Sequence, residues 1–587
     1  MPLDAILLSA LTEELSLSIC DMRVDRITQP EKDVFIFALR KPGKSVRLLL
    51  SAGVGSARVH LTELPSENPQ TPPMFCMLLR KHLTGARIMG INQPHLERVI
   101  ELEFAASDEI GTSGCKRIIV EMIGKRSNLI LCGRDGRIID CLRKVDAEMS
   151  EARQVLPGMF YRLPPPQNKL EPFAVTEEEF ALLLEDTPRE MKLESWLLNT
   201  FTALSPLICR EIAHSVAGRE DIRISESENQ DIATAFFTFK EFVLGRKMQP
   251  FMLLKGDELF DITFLPVKQY KGAVTAERYG SFSELLDSYY TLREKRERTR
   301  QRSQSLLKNI KNLRDRTARK LTIRKEELKA TYDREKYRQM GDIIKANLHN
   351  MQRGMTVLKA VNFYSENQRE IEIKLDPKLG PSQNAERYYK LYSKAKNAET
   401  ILKEQIKTAE MELDYLESVL EEISRAGGER DLDEIRQELV SAGYLKEKRN
   451  SKKTKPQKSP PMRFVSSSGT EILVGKNNLQ NDALTLKIAG KEEIWLHAQK
   501  IHGSHVIIRS REPDDNTLLE GAMLAAYFSK ARDGKNVPVD YTKVKHVKKP
   551  PRAKPGMVIY TNYKTLFVTP EEEQVKSLQS SHRGVFL

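Results

Sequence analysis

The feature that most restricts the fold is a run of apolar residues spaced alternately four and three apart. Leu402, Ile406, Ala409, Leu413, Leu416, Leu420 and Ile423 stand in an otherwise charged stretch. Such spacing leaves one narrow apolar seam on a helix, which a second helix must cover, as in a coiled coil. An earlier arm, Ser281 to about Tyr337, carries Leu306, Ile310 and Leu313 and is densely basic from Arg293 to Arg302. Between the arms, Met340 to Pro381 breaks the pattern with Gly341, Gly354, Pro377, Gly380 and Pro381. This order predicts an intramolecular antiparallel coiled coil over 281–445 with a small tip domain. Periodicity alone also allows a parallel dimer.

The flanking segments predict a multidomain α+β chain. Residues 1–168 read as a mixed α/β sheet domain. It has a helix over Leu3–Leu17 and strands over Val34–Arg40, Val46–Ser51, Glu97–Phe104, Arg117–Ile123, Asn128–Cys132 and Arg137–Cys141. Lys41-Pro42-Gly43-Lys44 and Gly133-Arg134-Asp135-Gly136 form the turns between neighbouring strands. Residues 169–280 read as a helical region. Ser205-Pro206 pairs a cap with a helix-starting proline, and the preceding helix spans about Met191–Phe201. Two such helices resemble a helix-hairpin-helix unit, although the usual glycine-rich turn is missing, and a plain core hairpin fits as well. Residues 446–461 form a basic linker. Residues 462–570 read as a compact α+β domain with strands at Glu471–Val474, Leu484–Ile488, Ile494–His497 and His505–Arg509, a helix over Leu518–Arg532, and closing strands at Met557–Tyr560 and Thr565–Thr569. Residues 571–587 read as a polar tail.

The chain has 94 Lys and Arg against 81 Asp and Glu, a formal charge of +13. That excess favours a polyanionic partner, because each neutralised phosphate releases counterions. The six cysteines are scattered without a CxxC pair and read as buried free thiols of a reducing compartment. The start of the chain lacks a basic n-region, and Asp4, Glu13 and Glu14 interrupt its apolar stretch, so no secretory signal is expected. No apolar run is long enough to cross a membrane, and the expected location is the cytoplasm. There is no GxxxxGK[ST], GxSxG or HExxH.

Three segments carry a resemblance. They are Pro72-Pro73-Met74-Phe75-Cys76-Met77-Leu78-Leu79-Arg80-Lys81-His82 followed by Glu97-Arg98-Val99-Ile100, then Leu473-Val474-Gly475-Lys476-Asn477-Asn478-Leu479-Gln480-Asn481-Asp482, and Ile494-Trp495-Leu496-His497-Ala498 with Gly503-Ser504-His505-Val506-Ile507-Ile508-Arg509. In this order around a central coiled coil they resemble the NFACT family over nearly the whole chain. The chain stops soon after the third segment, as in a bacterial or archaeal member. The resemblance implies a ribosome-associated quality-control factor. Such a protein binds the large ribosomal subunit, through its RNA and proteins, while a stalled nascent chain is still attached as peptidyl-tRNA. It recruits an aminoacyl-tRNA, alanyl-tRNA in the bacterial case, for mRNA-independent tailing that marks the chain for degradation. A small RNA-binding helper protein fits this role. The ribosome makes the bond, so no enzyme activity, cofactor, metal or membrane contact is expected.

Residue by residue, the resemblance assigns tRNA recruitment to Glu97 and Arg98, with Glu97 standing where the family has aspartate. Asp4 matches another acidic family position, and as a helix-start acid it is equally a cap. Lys476, Asn477 and Asn478 read as a polar loop for ribosomal RNA, or as a turn held by Asn side chains. His505 reads as an RNA contact or a hydrogen-bonded loop histidine. With His497 and His502 it also has to be weighed as a zinc ligand, against the absence of a nearby cysteine. His502 stands where the family has proline. Trp495 reads as core. Lys545, Lys548, Lys549 and Arg552, with Lys543, His546 and Lys554, lie in an acid-free stretch and read as ribosomal RNA phosphate contacts.

Two other classes compete. An older family label suggests a fibronectin-binding surface adhesin, which the missing signal and unpaired cysteines disfavour. Pro2 suggests a Schiff-base DNA glycosylase, but Leu3 stands where such enzymes place a catalytic glutamate.

Overall fold

The computed structural model describes residues 3–65, 68–69, 71–107, 113–151, 153–256, 258–446, 459–551 and 553–580. Pro2, Arg552, most of the basic linker and the end of the tail lie outside them. The chain divides into two compact units, 1–296 and 297–587, the division falling within the helix Phe282–Thr331.

The first unit is built on a nine-stranded antiparallel sheet. Its spatial order is Arg58–Leu61, Lys44–Ser51, Val34–Lys41, Arg23–Glu31, Arg87–Asn92, Val99–Ser107, Ser113–Glu121, Asn128–Cys132 and Ile138–Cys141. The hairpin predicted around Pro42-Gly43 is present, with Lys41 opposite Lys44 and Gly43 at φ 75°. Three strands escape the sequence reading, for physical reasons. Arg23–Glu31 and Arg87–Asn92 each contain a register shift, which breaks the alternation of inward and outward side chains. Arg58–Leu61 buries polar residues. Arg58 pairs with Glu294 at 3.0 Å and lies 4.2 Å from the Tyr290 ring, while burial and the Arg58 charge push His60 down to about 3.

Helices Glu177–Glu185, Leu193–Thr200, Pro206–Ala217 and Asn229–Leu244 follow, as predicted for a helical region. A three-stranded sheet, Phe251–Lys255, Glu258–Thr263 and Thr275–Arg278, was not anticipated. Phe180 packs on Trp196, Phe201 and Phe236 with ring centroids 4.5–6.0 Å apart. One hydrophobic cluster runs from Ile6 and Leu7 through Phe104, Phe180, Phe236 and Phe264 to Tyr290. Residues 1–168 and 169–280, read as successive segments, therefore share a core.

In the second unit the two arms are antiparallel within one chain. Leu306 and Ile310 pack with Leu416, Val419 and Ile423, and Leu321 packs with Ile406 and Ala409. Sequence numbers rise on one helix as they fall on the other, which selects the intramolecular hairpin over a parallel dimer. At the tip, the helix Arg334–Ala346 and the hairpin Val357–Val361 with Glu370–Lys374 enclose Ile343, Ile344, Leu358 and Ile373. Gly341 is not a break. It sits inside that helix, where an added Cβ would lie 3.1 Å from the Tyr389 ring, so it allows close approach of Pro381–Arg425. At its far end Pro381–Arg425 also turns Tyr415 toward the helix Glu429–Ser441, where its hydroxyl donates to Glu438 at 2.7 Å.

The C-terminal domain is a six-stranded antiparallel sheet ordered Met462–Val465, Glu471–Val474, Val506–Ile508, Ile494–Ala498, Val537–Lys543 and Lys564–Val568. The helix Asp515–Tyr527 covers one face through Ala522, Leu524, Ala525 and Ala526. Trp495, Leu473 and Ile507 form a core on the other, so the expectation that Trp495 packs inside is met. Two expectations are corrected. Leu484–Ile488 is helical, continuing Asn478–Ala483, because Asn477 caps it by accepting from Gln480 N–H at 2.9 Å. The start of the tail is a helix, Glu572–Ser580, docked through Val575 and Leu578. Among the described residues no helix is long and apolar enough to cross a membrane.

Candidate functional site

In the first unit a cavity of 260 Å³ is lined by Leu3, Asp4, Glu97, Arg98, Lys169 and the turn before the helix Pro206–Ala217. It brings together the three residues assigned to tRNA. Asp4 lies here because it starts the helix Ala5–Ile19, its Oδ1 accepting from Leu7 N–H at 2.8 Å. The cap and the site role therefore coexist on one side chain. Burial, reinforced by the Asp261 carboxylate, pushes Asp4 up to about 6, while the Leu7 N–H and the Ser205 hydroxyl pull the other way. Ser205 occupies the predicted cap position, but its hydroxyl interacts with Asp4 rather than capping its own helix.

Glu97 and Arg98 do not open the strand as expected. They precede Val99–Ser107 and follow a tight turn at Pro94–Leu96. His95 and Leu96 both adopt positive φ, 48° and 50°, and Ala203 across the cavity has φ 64°. Side chains rarely accept this conformation, and such strain persists where surrounding contacts hold it. Gln93 supplies two of them, its Nε2 donating at 2.9 Å to Ala5 O and to Glu97 O. Lys169 Nζ donates to Leu198 O at 2.7 Å and adds a positive group to the wall. A carboxylic acid near neutrality, a second carboxylate and a guanidinium fork can together meet both donors and acceptors, as a base edge with its phosphate requires. Gln93, Lys169 and Ser205 were missed by the sequence reading, because their roles depend on loops brought together by the fold.

The second unit treats its assigned residues differently. Asn477, Asn478 and His505 are buried, so direct RNA readout by their side chains is replaced by structural work. Asn477 Nδ2 donates to Glu434 at 2.7 Å, and Asn478 Nδ2 donates to Ser418 Oγ at 3.0 Å. Both amides fasten the sheet domain to the base of the coiled coil. His505 Nδ1 is 2.7 Å from Thr485 Oγ1, and burial beside His497 holds its pKa well below the usual imidazole range. A Cβ on Gly475 would lie 2.1 Å from Asn481 Oδ1, the acceptor of His505 N–H, so the motif's glycine is a packing requirement. His502 Nε2 instead faces Asp414 and Glu417 at 3.6 and 3.5 Å.

The cations remain nearer the surface. Lys476 lies 3.7 Å from Asp431, and Lys549 pairs with Asp482. Lys543 and Lys545 share Glu492, each at 2.9 Å, and hold its carboxyl down at about 2. Lys554 lies over the Tyr415 and Tyr444 rings at 5.5 and 5.0 Å. Lys548 is exposed.

Comparison with known proteins places these sites in a family. Residues 4–458 match the family model of NFACT N-terminal and middle domains, and residues 461–562 match the NFACT protein RNA binding domain. The chain is 38% identical over 584 residues to Rqc2 homolog RqcH of Bacillus subtilis (strain 168), covering 99% of this chain and 100% of that protein. It is 23% identical over 381 residues to the human Ribosome quality control complex subunit NEMF, covering 60% of this chain and 33% of that one. Among solved structures, the C-terminal part of the fibronectin/fibrinogen-binding protein from Streptococcus suis is 37% identical, covering 48% of this chain and 99% of that one, with a TM-score of 0.39. With two family models that together span nearly all of its length and a relative matched from end to end, the chain belongs to the NFACT family.

Proposed function

We propose that this protein acts in the cytoplasm on a large ribosomal subunit that still carries a stalled peptidyl-tRNA. There it recruits aminoacyl-tRNA, specifically alanyl-tRNA, so that the ribosome extends the stalled chain without mRNA and marks it for degradation. The observation that carries this reading is the end-to-end likeness to Rqc2 homolog RqcH. The Asp4–Glu97–Arg98 cavity supports tRNA recruitment, and the basic RNA-binding module supports subunit binding. The protein's part is binding and positioning. Peptide-bond formation belongs to ribosomal RNA, so the chain needs no nucleophile of its own.

Capture of the tagged protein from cells, followed by sequencing of its RNA, tests this. Large-subunit RNA and alanine tRNA are expected. Loss of a guanidinium contact of about 1–3 kcal/mol predicts that Arg98→Ala retains about one fifth or less of the tRNA while keeping the large subunit. Asp4→Asn separates cap from contact, since Asn caps as well as Asp. It is expected to keep the thermal midpoint and still lose tRNA. Retention of tRNA at the unmodified level by Arg98→Ala would refute the assignment, and absence of ribosomal RNA from the parent protein at low ionic strength would refute the whole reading.

A further inference from the structure

We infer that the turn Thr561–Lys564 and the edge strand that follows it form a stacking platform for unpaired RNA bases, so that this domain prefers single-stranded or looped RNA over duplex. The inference rests on the RNA-binding reading of the domain and adds the class of RNA and the residues that select it. Tyr563 and Lys564 lie beyond residue 562, where the match to the RNA-binding family model ends.

Tyr563 is 49% exposed and is built into a tier of rings. It meets Tyr560 edge-on at 5.3 Å, and Tyr560 packs on the buried Trp495 at 4.8 Å. The turn beneath it is pinned. Thr542 Oγ1 lies 3.0 Å from both Thr561 O and Asn562 O, Tyr560 OH donates to Asp540 at 2.7 Å, and Thr565 Oγ1 donates to the same buried carboxylate. Asn562 takes φ 53°, which reverses the chain sharply and presents Tyr563 outward. An exposed aromatic ring on a fixed support has little conformational freedom left to lose when a base stacks on it.

A second ring extends the platform. Phe567 is 61% exposed on Lys564–Val568, the edge strand of the sheet. It stands two residues from Thr565 and so shares the sheet face on which Asp540 and Tyr560 lie. Tyr563 directly precedes the strand and Phe567 lies within it four residues on, at most about 13 Å away along extended chain, a separation suited to bases on a backbone but not to the stacked interior of a duplex.

The charge around the rings fits a phosphate backbone. Lys548 lies opposite the exposed Ile559 in the short pair Val547–Lys548 with Ile559–Tyr560, and Lys564 follows Tyr563 directly. Among the described residues neither Lys548 nor Lys564 has an ion-pair partner. Lys543 ends the strand that pairs with Lys564–Val568, and it shares the single carboxylate of Glu492 with Lys545. Cations beside sequence-tolerant ring faces are the general means of gripping single strands.

The test uses full-length protein carrying Arg98→Ala, so that the other RNA contact is weakened throughout. Its affinity is measured by fluorescence anisotropy for a labelled 12-nucleotide single-stranded RNA and for a blunt duplex of the same length. Tyr563→Ala is expected to weaken single-strand binding about 10-fold and to leave duplex binding unchanged. Tyr563→Phe should restore it, because the ring and not the hydroxyl does the stacking. Lys548→Ala should weaken both ligands and reduce the salt slope by about one. A thermal melt of Tyr563→Ala coinciding with the parent shows that the fold is kept. Equal affinity of Tyr563→Ala and its parent for the single strand, or equal losses on both ligands, overturns the inference while the RNA-binding reading stands. Failure of the parent to bind either RNA overturns both. Unchanged RNA affinity with loss of large-subunit binding would assign the surface to a protein and also overturn the inference.

Discussion

Arg425→Ala is expected to destabilise the unit formed by residues 297–587 by about 3–5 kcal/mol, the usual cost of removing one partner from a buried charge cluster. Arg425 ends the helix Pro381–Arg425, where a cation also suits the helix dipole. Its Nη1 donates to Ser504 Oγ at 3.1 Å and to Phe528 O, and its Nε lies 3.6 Å from Glu421. Ser504 and Phe528 belong to the sheet domain, so one side chain ties the base of the coiled coil to that domain. Truncation leaves the Phe528 carbonyl without this donor and removes the positive charge facing the buried Glu422. Urea unfolding followed by tryptophan fluorescence measures the loss. A Trp196→Phe background leaves Trp495 as the reporter inside the affected unit. Arg425→Lys should recover only part of the stability, because an ammonium cannot reproduce the fork. A change below about 1 kcal/mol, the scale of an exposed pair, would show that the contact is dispensable.

Glu422→Gln is expected to act in the opposite direction, stabilising the same unit by about 1–3 kcal/mol at pH 7.5. Glu422 is 2% exposed, and both of its carboxyl oxygens are buried. Burial and the neighbouring Glu438 carboxylate push its pKa well above the ordinary value of 4.5, outweighing the pull of Arg425 and the Asn478 N–H. Glu438 is also raised, mainly by burial, although Tyr415 OH donates to it at 2.7 Å. The folded state therefore holds a proton that the unfolded chain has released. Stability from this pair is fully present below the unfolded pKa and is lost as pH rises through the raised folded values. Gln imitates the protonated acid at every pH. The gain should be large at pH 7.5 and vanish near pH 4.5, read as the difference in thermal midpoint between variant and parent. A lower midpoint for Glu422→Gln at pH 7.5 would show that the ionised carboxylate is needed.

Much of the architecture was legible because local physics specified it. The alternating seam of Leu402 to Ile423 required a helical partner, and the predicted tip fell where the pattern broke. Val99–Ser107, whose buried Leu102, Phe104 and Ala106 alternate with less buried neighbours, and Asn128–Cys132, an unbroken apolar run, were visible. Arg23–Glu31 and Arg87–Asn92 were not, because at each register shift one extra residue moves the following side chains to the other face. Leu484–Ile488 looked like a strand by its alternating apolar residues, yet the cap at Asn477 starts a helix that runs into it. Gly341 looked like a break until its close approach to Tyr389 was seen.

The sites divide in the same way. Charge, motif order and the presence of Asp4, Glu97, Arg98 and the lysines at 543–554 are properties of the chain, and they sufficed to point to RNA. Burial is not such a property. Asn477, Asn478 and His505 carry the same polar groups whether they face solvent or a neighbouring helix, and only tertiary packing turned them inward. That packing also brought Asp4 beside Arg98 across 94 positions of sequence, and raised Tyr563 on Tyr560 and Trp495. Covalent order sets which groups are available and how they repeat along the backbone, while desolvation and proximity, which determine what those groups can do, arise only when distant segments close on one another.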